Sequence, residues 1–190
     1  MDVPSVIALA GPNGAGKSTA GPSLVRDTLG VVEYVDADVL ARADPGRSAL
    51  SAGRSMIRRL RELAEARRSF AFETTLASRT FAPWIDGLLS QGWRFDLFSL
   101  WIPSPNLAVA RVDVRVRGRG HSVPEEVIRR RFRAGLRNFF RLYRPLATSW
   151  GMYDNSGSFP RLITQGVGPR LAQAVDGAAW ARIETEYGNA

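Results

Sequence analysis

The sequence predicts an α/β fold in which a parallel sheet is flanked by helices, and three observations indicate it. Short apolar runs rich in strand formers alternate along the chain with longer stretches whose apolar residues recur at helical spacing. The first apolar run leads directly into a glycine-rich loop, an arrangement typical of phosphate binding in parallel sheets. Further along the chain, two arginine-rich helical stretches meet at a glycine-rich corner, which predicts a helical flap.

The glycine-rich loop "GPNGAGKST" follows the strand "VPSVIALA" and has the spacing of a Walker A motif, which predicts a P-loop NTPase fold. Glycines let backbone N–H groups close around phosphate oxygens, and the following helix presents its positive N-terminus to the same anion. The alternative is a turn that only joins a strand to a helix. The residues predicted to bind the nucleotide are Gly11, Pro12, Asn13, Gly14, Ala15, Gly16, Lys17, Ser18 and Thr19.

Lys17 is the only lysine among the 26 basic residues of the chain. An ammonium group is a compact charge on a slender stem that reaches phosphates from inside the loop, whereas a guanidinium is planar and wide. An arginine-biased composition explains the other basic residues but not this exception. Ser18 follows, and its hydroxyl is predicted to bind Mg²⁺.

The remaining elements follow in alternation. After the loop, a short helix is predicted to end at Gly30. A Ser-Pro pair at residues 104 and 105 predicts the start of one later helix, and Pro124 with two acidic residues predicts the start of another. A terminal helix is predicted over "PRLAQAVDGAAWARIETEY". The other predicted strands are "VVEYVD", "FAFETT", "RFDLFSLWI", "WGMYDNSG" and "PRLITQG".

Polar side chains are expected where the second and third strands end. The stretch "VDAD" places Asp36 and Asp38 there, and "FETT" places Glu73 and Thr75. Ligands of open α/β sheets lie outside the carboxyl ends of the strands, so a carboxylate there could accept the proton of a substrate hydroxyl. A helix cap or turn is the alternative for the aspartates, and a structural salt bridge is the alternative for Glu73.

The net charge of +8 is confined to residues 111–144, which hold eleven arginines and three acidic residues. Closure of a flap there would bring guanidinium groups to the phosphates. The groups near its corner are Arg115, Arg117, Arg119, His121, Arg130 and Arg131. For His121, a hinge or capping role is the alternative to a phosphate contact. The helical spacing of Arg129, Arg133, Arg137, Arg141 and Arg144 instead predicts a solvated face.

The composition restricts the class of protein further. A chain of 190 residues suits one domain, residues 1–190, with the flap inside it. No stretch approaches the ~20 apolar residues of a membrane span, and the N-terminus has no secretory pattern. The absence of cysteine and the single histidine exclude a disulfide framework and a Cys/His metal site. A soluble, cytoplasmic protein is expected.

Several stretches together resemble the zeta toxin and UDP-N-acetylglucosamine kinase family of P-loop kinases. They are "AGPNGAGKST", "VDADVLAR", "FAFETTLASRTF", "RVDVRVRGRGHSVPEEVIRRRF" and "YDNSG", in the order of the small bacterial members. The resemblance implies ATP- and Mg²⁺-dependent phosphorylation of a small-molecule hydroxyl, the 3′-hydroxyl of UDP-N-acetylglucosamine in the toxins, and an antitoxin partner. It implies that Asp38 is the general base, that Glu73 and Thr75 contact the substrate, and that Arg115 is a flap arginine.

The chain departs from the family at the flap corner. The second flap arginine of the toxins falls near His121, so its role is assigned to His121, Arg119 or Arg130, and Arg119 replaces a glycine of the small relatives. The chain is also shorter than the toxins and lacks much of the sequence that shapes their sugar pocket.

Two other classes of function remain open. One is a P-loop kinase that acts on a nucleotide, an RNA 5′-hydroxyl or an antibiotic. The other is an NTP-dependent nucleic-acid-binding protein. Against the second, the excess charge is concentrated at the flap, and aromatic residues interleave with basic ones only in "RNFFRLYR". We therefore do not expect nucleic acid as a partner.

Overall fold

The computed structural model describes residues 3–23, 33–37, 39, 49–118, 120 and 122–188. They form a seven-stranded sheet with the order β2-β3-β1-β4-β5-β6-β7. The first five strands are parallel, and β6 and β7 continue the sheet in antiparallel pairing. The strands are β1 (Ser5–Ala10), β2 (Glu33–Val35), β3 (Phe70–Thr74), β4 (Arg94–Trp101), β5 (Ser149–Asp154), β6 (Arg161–Val167) and β7 (Arg170–Ala174).

Helices connect the parallel strands and end the chain. They are α1 (Lys17–Ser23), α2 (Ala49–Glu65), α3 (Phe81–Leu89), α4 (Pro105–Arg117), α5 (Glu125–Asn138) and α6 (Gly177–Ile183). A π-helical segment, Phe139–Tyr143, and a short turn, Arg144–Leu146, continue α5, and a second π-helical segment, Glu184–Gly188, continues α6. The predicted fold class, a mostly parallel sheet flanked by helices, is thereby confirmed.

Local sequence signals explain where two helices begin. The side chain of Ser104 accepts a hydrogen bond of 3.2 Å from the backbone N–H of Leu107, and Pro105 occupies the first turn of α4, as predicted. Pro124 directly precedes α5, and Glu125 and Glu126 stand in its first turn, where they complement the positive end of the helix dipole.

The main core lies on one face of the sheet. Val6, Ala8 and Ala10 of β1 pack there with buried residues of α2 to α6, and Phe70 and Phe72 of β3 belong to the same cluster. On the opposite face, smaller clusters form around Ile7 and Leu9, each nearly inaccessible to water. Burial of β1 on both faces explains why its sequence is continuously apolar instead of alternating.

One predicted solvent-facing arginine is buried instead. The Arg144 side chain is only 18% exposed, and its guanidinium carbon lies 5.2 to 5.8 Å from the ring centres of Phe140, Trp150 and Trp180. Cation–π attraction and a 3.5 Å ion pair with Glu184 compensate for its removal from water. The prediction of a solvated side chain at this position was wrong, because three aromatic rings and Glu184 surround the guanidinium.

The C-terminal region also differs from the prediction. Residues 170–174, assigned to a terminal helix, form β7 instead and pair with β6, and the helix begins only at Gly177. Gly168, with φ of +52°, makes the tight turn that Pro169 extends.

Within the described part of the chain, no helix combines the length and the hydropathy that crossing a membrane requires.

Candidate active site

The glycine-rich loop lies where β1 ends, between the ends of β3 and β4. Its conformation uses positive φ angles at Gly11, Gly14 and Gly16, of 147°, 76° and 83°. Gly16 also needs its lack of a side chain, because a Cβ there would lie 2.6 Å from the amide nitrogen of Asn155. The loop therefore closes tightly against a neighbouring segment, and its positive φ angles are of the kind found where successive backbone N–H groups bind an anion.

Lys17 and Ser18 begin α1 at the end of this loop. The ammonium of Lys17 donates hydrogen bonds to the carbonyls of Gly11, at 2.8 Å, and Pro12, at 3.1 Å. The hydroxyl of Ser18 donates to Oε2 of Glu73 at 3.2 Å. The cation and the hydroxyl thus stand next to each other at the N-terminus of a helix, where an anion is stabilised.

Glu73 is the central carboxylate of the site. It lies next to the last residue of β3, and its Oε1 accepts a 2.5 Å hydrogen bond from the hydroxyl of Tyr34. Burial raises the pKa of Glu73 above its usual range, and the positive charge of Lys17 is the largest opposing influence. The nearby Lys17 charge and the hydrogen bonds from Tyr34 and Ser18 thus oppose the effect of burial on this carboxylate.

A cleft of about 470 Å³ opens over the loop. Asp36, which is 6% exposed, and Glu73 lie on one side of it, and Thr75 and Ser78 form the wall beyond β3. Three arginines complete the lining: Arg111 and Arg115 from α4, and Arg131 from α5. The cleft thus places guanidinium groups and carboxylates around the glycine-rich loop, an arrangement suited to a phosphorylated ligand.

Arg111 fastens α4 to the loop and to the segment after β5. Its guanidinium donates to the carbonyls of Asn155 at 2.8 Å, Ser156 at 2.7 Å and Gly14 at 3.4 Å. The side-chain amide of Asn155 donates to the carbonyl of Ala15 at 2.7 Å. These contacts join three segments that are far apart in the sequence around one end of the cleft.

The wall segment, residues 75–78, is held in an uncommon conformation. Leu76 has a φ of +55°, which is rare for a residue with a branched side chain. Asn138 of α5 donates to the carbonyls of Leu76 at 2.7 Å and Ala77 at 3.2 Å, and the hydroxyl of Tyr143 donates to the carbonyl of Ser78. The helix that carries Arg131 therefore also fixes this wall.

Most of the residues predicted for the site come together in the cleft. Its lining includes Asn13, Gly14, Gly16, Lys17, Ser18, Thr19, Glu73, Thr75 and Arg115. Gly11, Pro12 and Ala15 belong to the same loop but are buried beneath this surface. Arg130 is exposed and is not part of the described lining, whereas its neighbour Arg131 is. Asp38, Arg119 and His121 lie outside the described residues.

Sequence reasoning did not single out Tyr34, Arg111 or Asn155 for the site. Asn155 follows β5 directly, so the rule that ligands lie at the carboxyl ends of parallel strands could have found it. Tyr34 and Arg111 have no such signal, because their partners lie 39 and 44 or more residues away in the chain.

The donor atoms of the cleft suit Mg²⁺. Ser18 supplies a hydroxyl, and Glu73 and Asp36 supply carboxylates, the hard oxygen ligands that this ion prefers. Among the described residues, no group of three or more His, Cys, Asp and Glu side chains is placed to hold a metal. Water and phosphate oxygens would therefore complete the coordination, as is usual for Mg²⁺ bound together with a nucleotide.

No protein-family model matches the chain, and no curated protein sequence matches it. It is similar in structure to a chain of the AvrRxo1-ORF1:-ORF2 complex with ATP, with a TM-score of 0.69 and 16% identity over 95% of this chain and 63% of that chain. This chain therefore spans less than two thirds of that chain's length.

Two further solved structures are similar. For a chain of the PezAT chromosomal toxin-antitoxin system of Streptococcus pneumoniae, the TM-score is 0.64 at 14% identity over 98% of this chain and 79% of that chain. For a chain of the Pnkp1/Rnl/Hen1 RNA repair complex, the TM-score is 0.57 at 18% identity, and coverage falls to 70% and 44%. At these identities the likeness shows a shared fold.

Proposed function

We propose that the protein is a kinase that uses ATP and Mg²⁺ to phosphorylate the hydroxyl of a small molecule. The observation that carries this proposal is the composition of one cleft. The phosphate loop with Lys17, the carboxylate of Glu73 and the guanidinium groups of Arg115 and Arg131 line the same 470 Å³ space. Phosphoryl transfer needs this combination, because its catalysis consists mainly of positioning the groups and neutralising the transferred charge.

On this proposal, the backbone of residues 11–16 and the ammonium of Lys17 bind the phosphates of ATP. Ser18 would hold Mg²⁺, with Glu73 and Asp36 beside it, and the ion would neutralise phosphate charge when bound. The loop after β5 lies against the phosphate loop through Asn155 and borders the nucleotide side of the cleft. Arg115 and Arg131 reach the transferred phosphoryl group from the two flap helices.

The acceptor side is assigned to the ends of β2 and β3. Asp38 follows Asp36, which lies in the cleft, by two residues, and we propose it as the base that takes the proton of the acceptor hydroxyl. Glu73 and Thr75 would orient the acceptor from the neighbouring strand. Arg119, His121 and Arg130 are proposed, from the family resemblance, as further flap groups near the acceptor or the phosphates.

The proposed acceptor is the 3′-hydroxyl of UDP-N-acetylglucosamine, and the proposed setting is the cytoplasm. The support is the resemblance of the cleft motifs to the zeta toxin family and the structural likeness to a chain of a toxin-antitoxin system. On the same basis, an antitoxin protein is proposed as a partner. The structural likeness to a chain of the RNA repair complex supports a second candidate acceptor, an RNA 5′-hydroxyl.

The test is ³¹P NMR of UDP-N-acetylglucosamine with ATP, Mg²⁺ and the protein. A new sugar-phosphate resonance is expected with the native protein and should fall by about 10²- to 10⁴-fold in rate with Asp38→Asn, which keeps the shape but not the proton acceptor. Parallel samples contain other UDP-sugars, nucleotides or an RNA with a 5′-hydroxyl. Transfer only to RNA would replace the acceptor and keep the kinase, and absence of transfer to every acceptor would reject the kinase.

Retention on heparin or DNA distinguishes the proposed kinase from an NTP-dependent nucleic-acid-binding protein. The native protein is loaded at moderate salt with and without ATP. Weak retention that ATP does not change is expected for a kinase whose flap arginines Arg115 and Arg131 line its own cleft. Strong, ATP-dependent retention together with no phosphoryl transfer would favour the nucleic-acid-binding class.

A further inference from the structure

Tyr34 holds one oxygen of the Glu73 carboxylate, and Ser18 holds the other. Its hydroxyl donates to Oε1 at 2.5 Å, while Ser18 donates to Oε2 at 3.2 Å. The two donors come from different elements, β2 and α1, and meet at Glu73 near the end of β3. A carboxylate with a donor at each oxygen cannot rotate without losing a hydrogen bond.

Helix α1 is built to admit the Tyr34 hydroxyl. Gly21, a poor helix former, stands inside α1 at the point of contact. A Cβ at this position would lie 2.4 Å from the Tyr34 hydroxyl oxygen and 2.6 Å from Cδ2 of Leu9. The close approach of the helix to the tyrosine thus requires glycine, which gives a structural reason for a residue that the helix itself disfavours.

The tyrosine hydroxyl is the donor in the hydrogen bond to Glu73. Burial, together with the hydrogen bond to Glu73 and the negative charges of Glu73 and Asp36, raises the pKa of Tyr34 well above its usual range. A raised pKa favours the protonated hydroxyl, which is the form that donates to Glu73. Among the described residues, Glu73 lines the cleft and Tyr34 does not. The tyrosine therefore contacts the carboxylate from the side away from the cleft.

We propose that Tyr34 is a positioning residue that orients the Glu73 carboxylate toward Ser18 and the proposed Mg²⁺ site, and that Gly21 exists to make this contact. The inference rests on the proposed kinase function, whose site it deepens. Without the tyrosine donor, the carboxylate is drawn by the nearby Lys17 ammonium and repelled by Asp36, and Arg115 and Arg131 face it across the cleft. Its orientation toward Ser18 then depends on one hydrogen bond alone.

The first experiment replaces Tyr34 by phenylalanine, which keeps the ring and removes the donor. The kcat for phosphoryl transfer should fall by about 10- to 100-fold, the range found when partners that orient metal-site ligands are removed. The KM for ATP should rise by a smaller factor than kcat falls, because the phosphate contacts remain. The matched control is Tyr187→Phe, which removes the hydroxyl of a buried tyrosine that also bonds a glutamate, Glu186, and does not line the cleft. It should leave kcat unchanged.

A double-mutant cycle separates positioning from a general structural effect. In a protein that already carries Glu73→Ala, Tyr34→Phe should cost little further activity, because the group that it orients is gone. An equal loss in both backgrounds would overturn the proposal. So would a Tyr34→Phe protein with native kcat, or one whose kcat and ATP affinity fall by the same factor.

A second pair of variants tests the role of Gly21. Gly21→Ala should reproduce the kcat loss of Tyr34→Phe, whereas Gly53→Ala, within α2 and with no atom within 4 Å of the added Cβ, should not. Native activity in a folded Gly21→Ala protein would overturn the assignment of this glycine.

The inference about Tyr34 can be tested even if the kinase proposal fails. If the native protein transfers no phosphate, calorimetric titration with ATP still tests the inference. Mg²⁺ should strengthen ATP binding to the native protein and to Tyr187→Phe by a larger factor than to Tyr34→Phe, while Mg²⁺-free binding stays equal. An equal Mg²⁺ effect in all three proteins would overturn it.

Discussion

Substitution of Gly135 by alanine should destabilise the protein although it improves the helix. Gly135 lies in α5, one turn after Arg131, where the helix crosses the wall of the cleft. A Cβ at this position would lie 2.2 Å from the carbonyl oxygen of Thr75. A normal C···O contact is about 3.3 Å, so the helix or the wall must move by ~1 Å.

The magnitude follows from three contributions. Replacing glycine by alanine within a helix stabilises it by about 1 kcal/mol. Overpacking of a fixed contact costs about 1 to 3 kcal/mol. The same displacement weakens the hydrogen bonds of Asn138 to the wall, each of which contributes about 1 kcal/mol. The free energy of unfolding should therefore fall by about 2 kcal/mol, which lowers the Tm by roughly 4 to 8 °C for a chain of this size.

Activity should fall more than stability suggests. The displacement changes the distance between Arg131 on α5 and Thr75 on the wall, and an error of ~1 Å in the placement of reacting groups can cost about 10²-fold in rate. Denaturant titration and thermal unfolding measure the first effect, and kcat at a temperature where the variant is folded measures the second.

The control is Gly53→Ala, at a helix position where the added Cβ meets no atom within 4 Å. It should raise the free energy of unfolding by about 0.5 to 1 kcal/mol, so the same chemical change has opposite signs at the two sites. If Gly135→Ala stabilises the protein as Gly53→Ala does, the close contact between α5 and the carbonyl of Thr75 is refuted.

Three further predictions concern charge. Lys17→Arg should abolish transfer in a folded protein, because the loop encloses a slender ammonium; retention of most activity would contradict this reason. Arg115→Ala and Arg131→Ala should each lower kcat by at least about tenfold with a smaller change in ATP affinity, whereas the exposed Arg130 should give a smaller loss on the same substitution. Burial raises the pKa of Asp154, but hydrogen bonds from Ser156 and Arg161 outweigh it and lower the pKa below its usual range. The Asp154 carboxylate therefore stabilises the fold above the unfolded pKa of about 3.9, and this contribution is lost as the pH falls. Asp154→Asn should reduce the free energy of unfolding at pH 7, with a difference that shrinks on acidification; a constant difference would contradict the assignment.

The sequence predicted those parts of the site that a local pattern determines. Loop, strand and helix around Lys17 follow one another within a few residues, and their chemistry is set by glycine conformation and by the helix end. Glu73 and Asp36 could be placed because parallel strands bring their carboxyl ends to one edge of the sheet. For the same reason, the cleft lies where the strand ends meet.

The strand β7 could not be recognised in the same way. Its side chains are exposed along its whole length, so no alternation of buried and exposed positions marks it. Leu171, Ala174 and Val175 recur at a spacing that suits a helix equally well. The pairing with β6 and the turn at Gly168 decide the conformation, and neither is visible in the residues of β7 themselves.

Tyr34 and Arg131 show a second reason why the sequence alone did not predict the whole site. The tyrosine lies in a strand pattern that explains its presence without any partner, and only the approach of α1 at Gly21 reveals its contact with Glu73. Among adjacent arginines of α5, the one that faces the cleft depends on the rotation of the helix about its axis. That rotation is set by tertiary contacts such as those of Asn138.

The three hydrogen bonds of Arg111 determine which part of α4 is fixed to its neighbours and which part is not. Its guanidinium joins the helix to the phosphate loop and to the segment after β5, so the helix has a pivot at this residue. The arm beyond the pivot runs from residue 112 to Arg117, about 9 Å at the helical rise of about 1.5 Å per residue. Arg115 stands about two thirds of the way along this arm, roughly 6 Å from Arg111 at the same rise. Any movement of α4 that keeps the three hydrogen bonds of Arg111 therefore carries Arg115 through a shorter distance than Arg117.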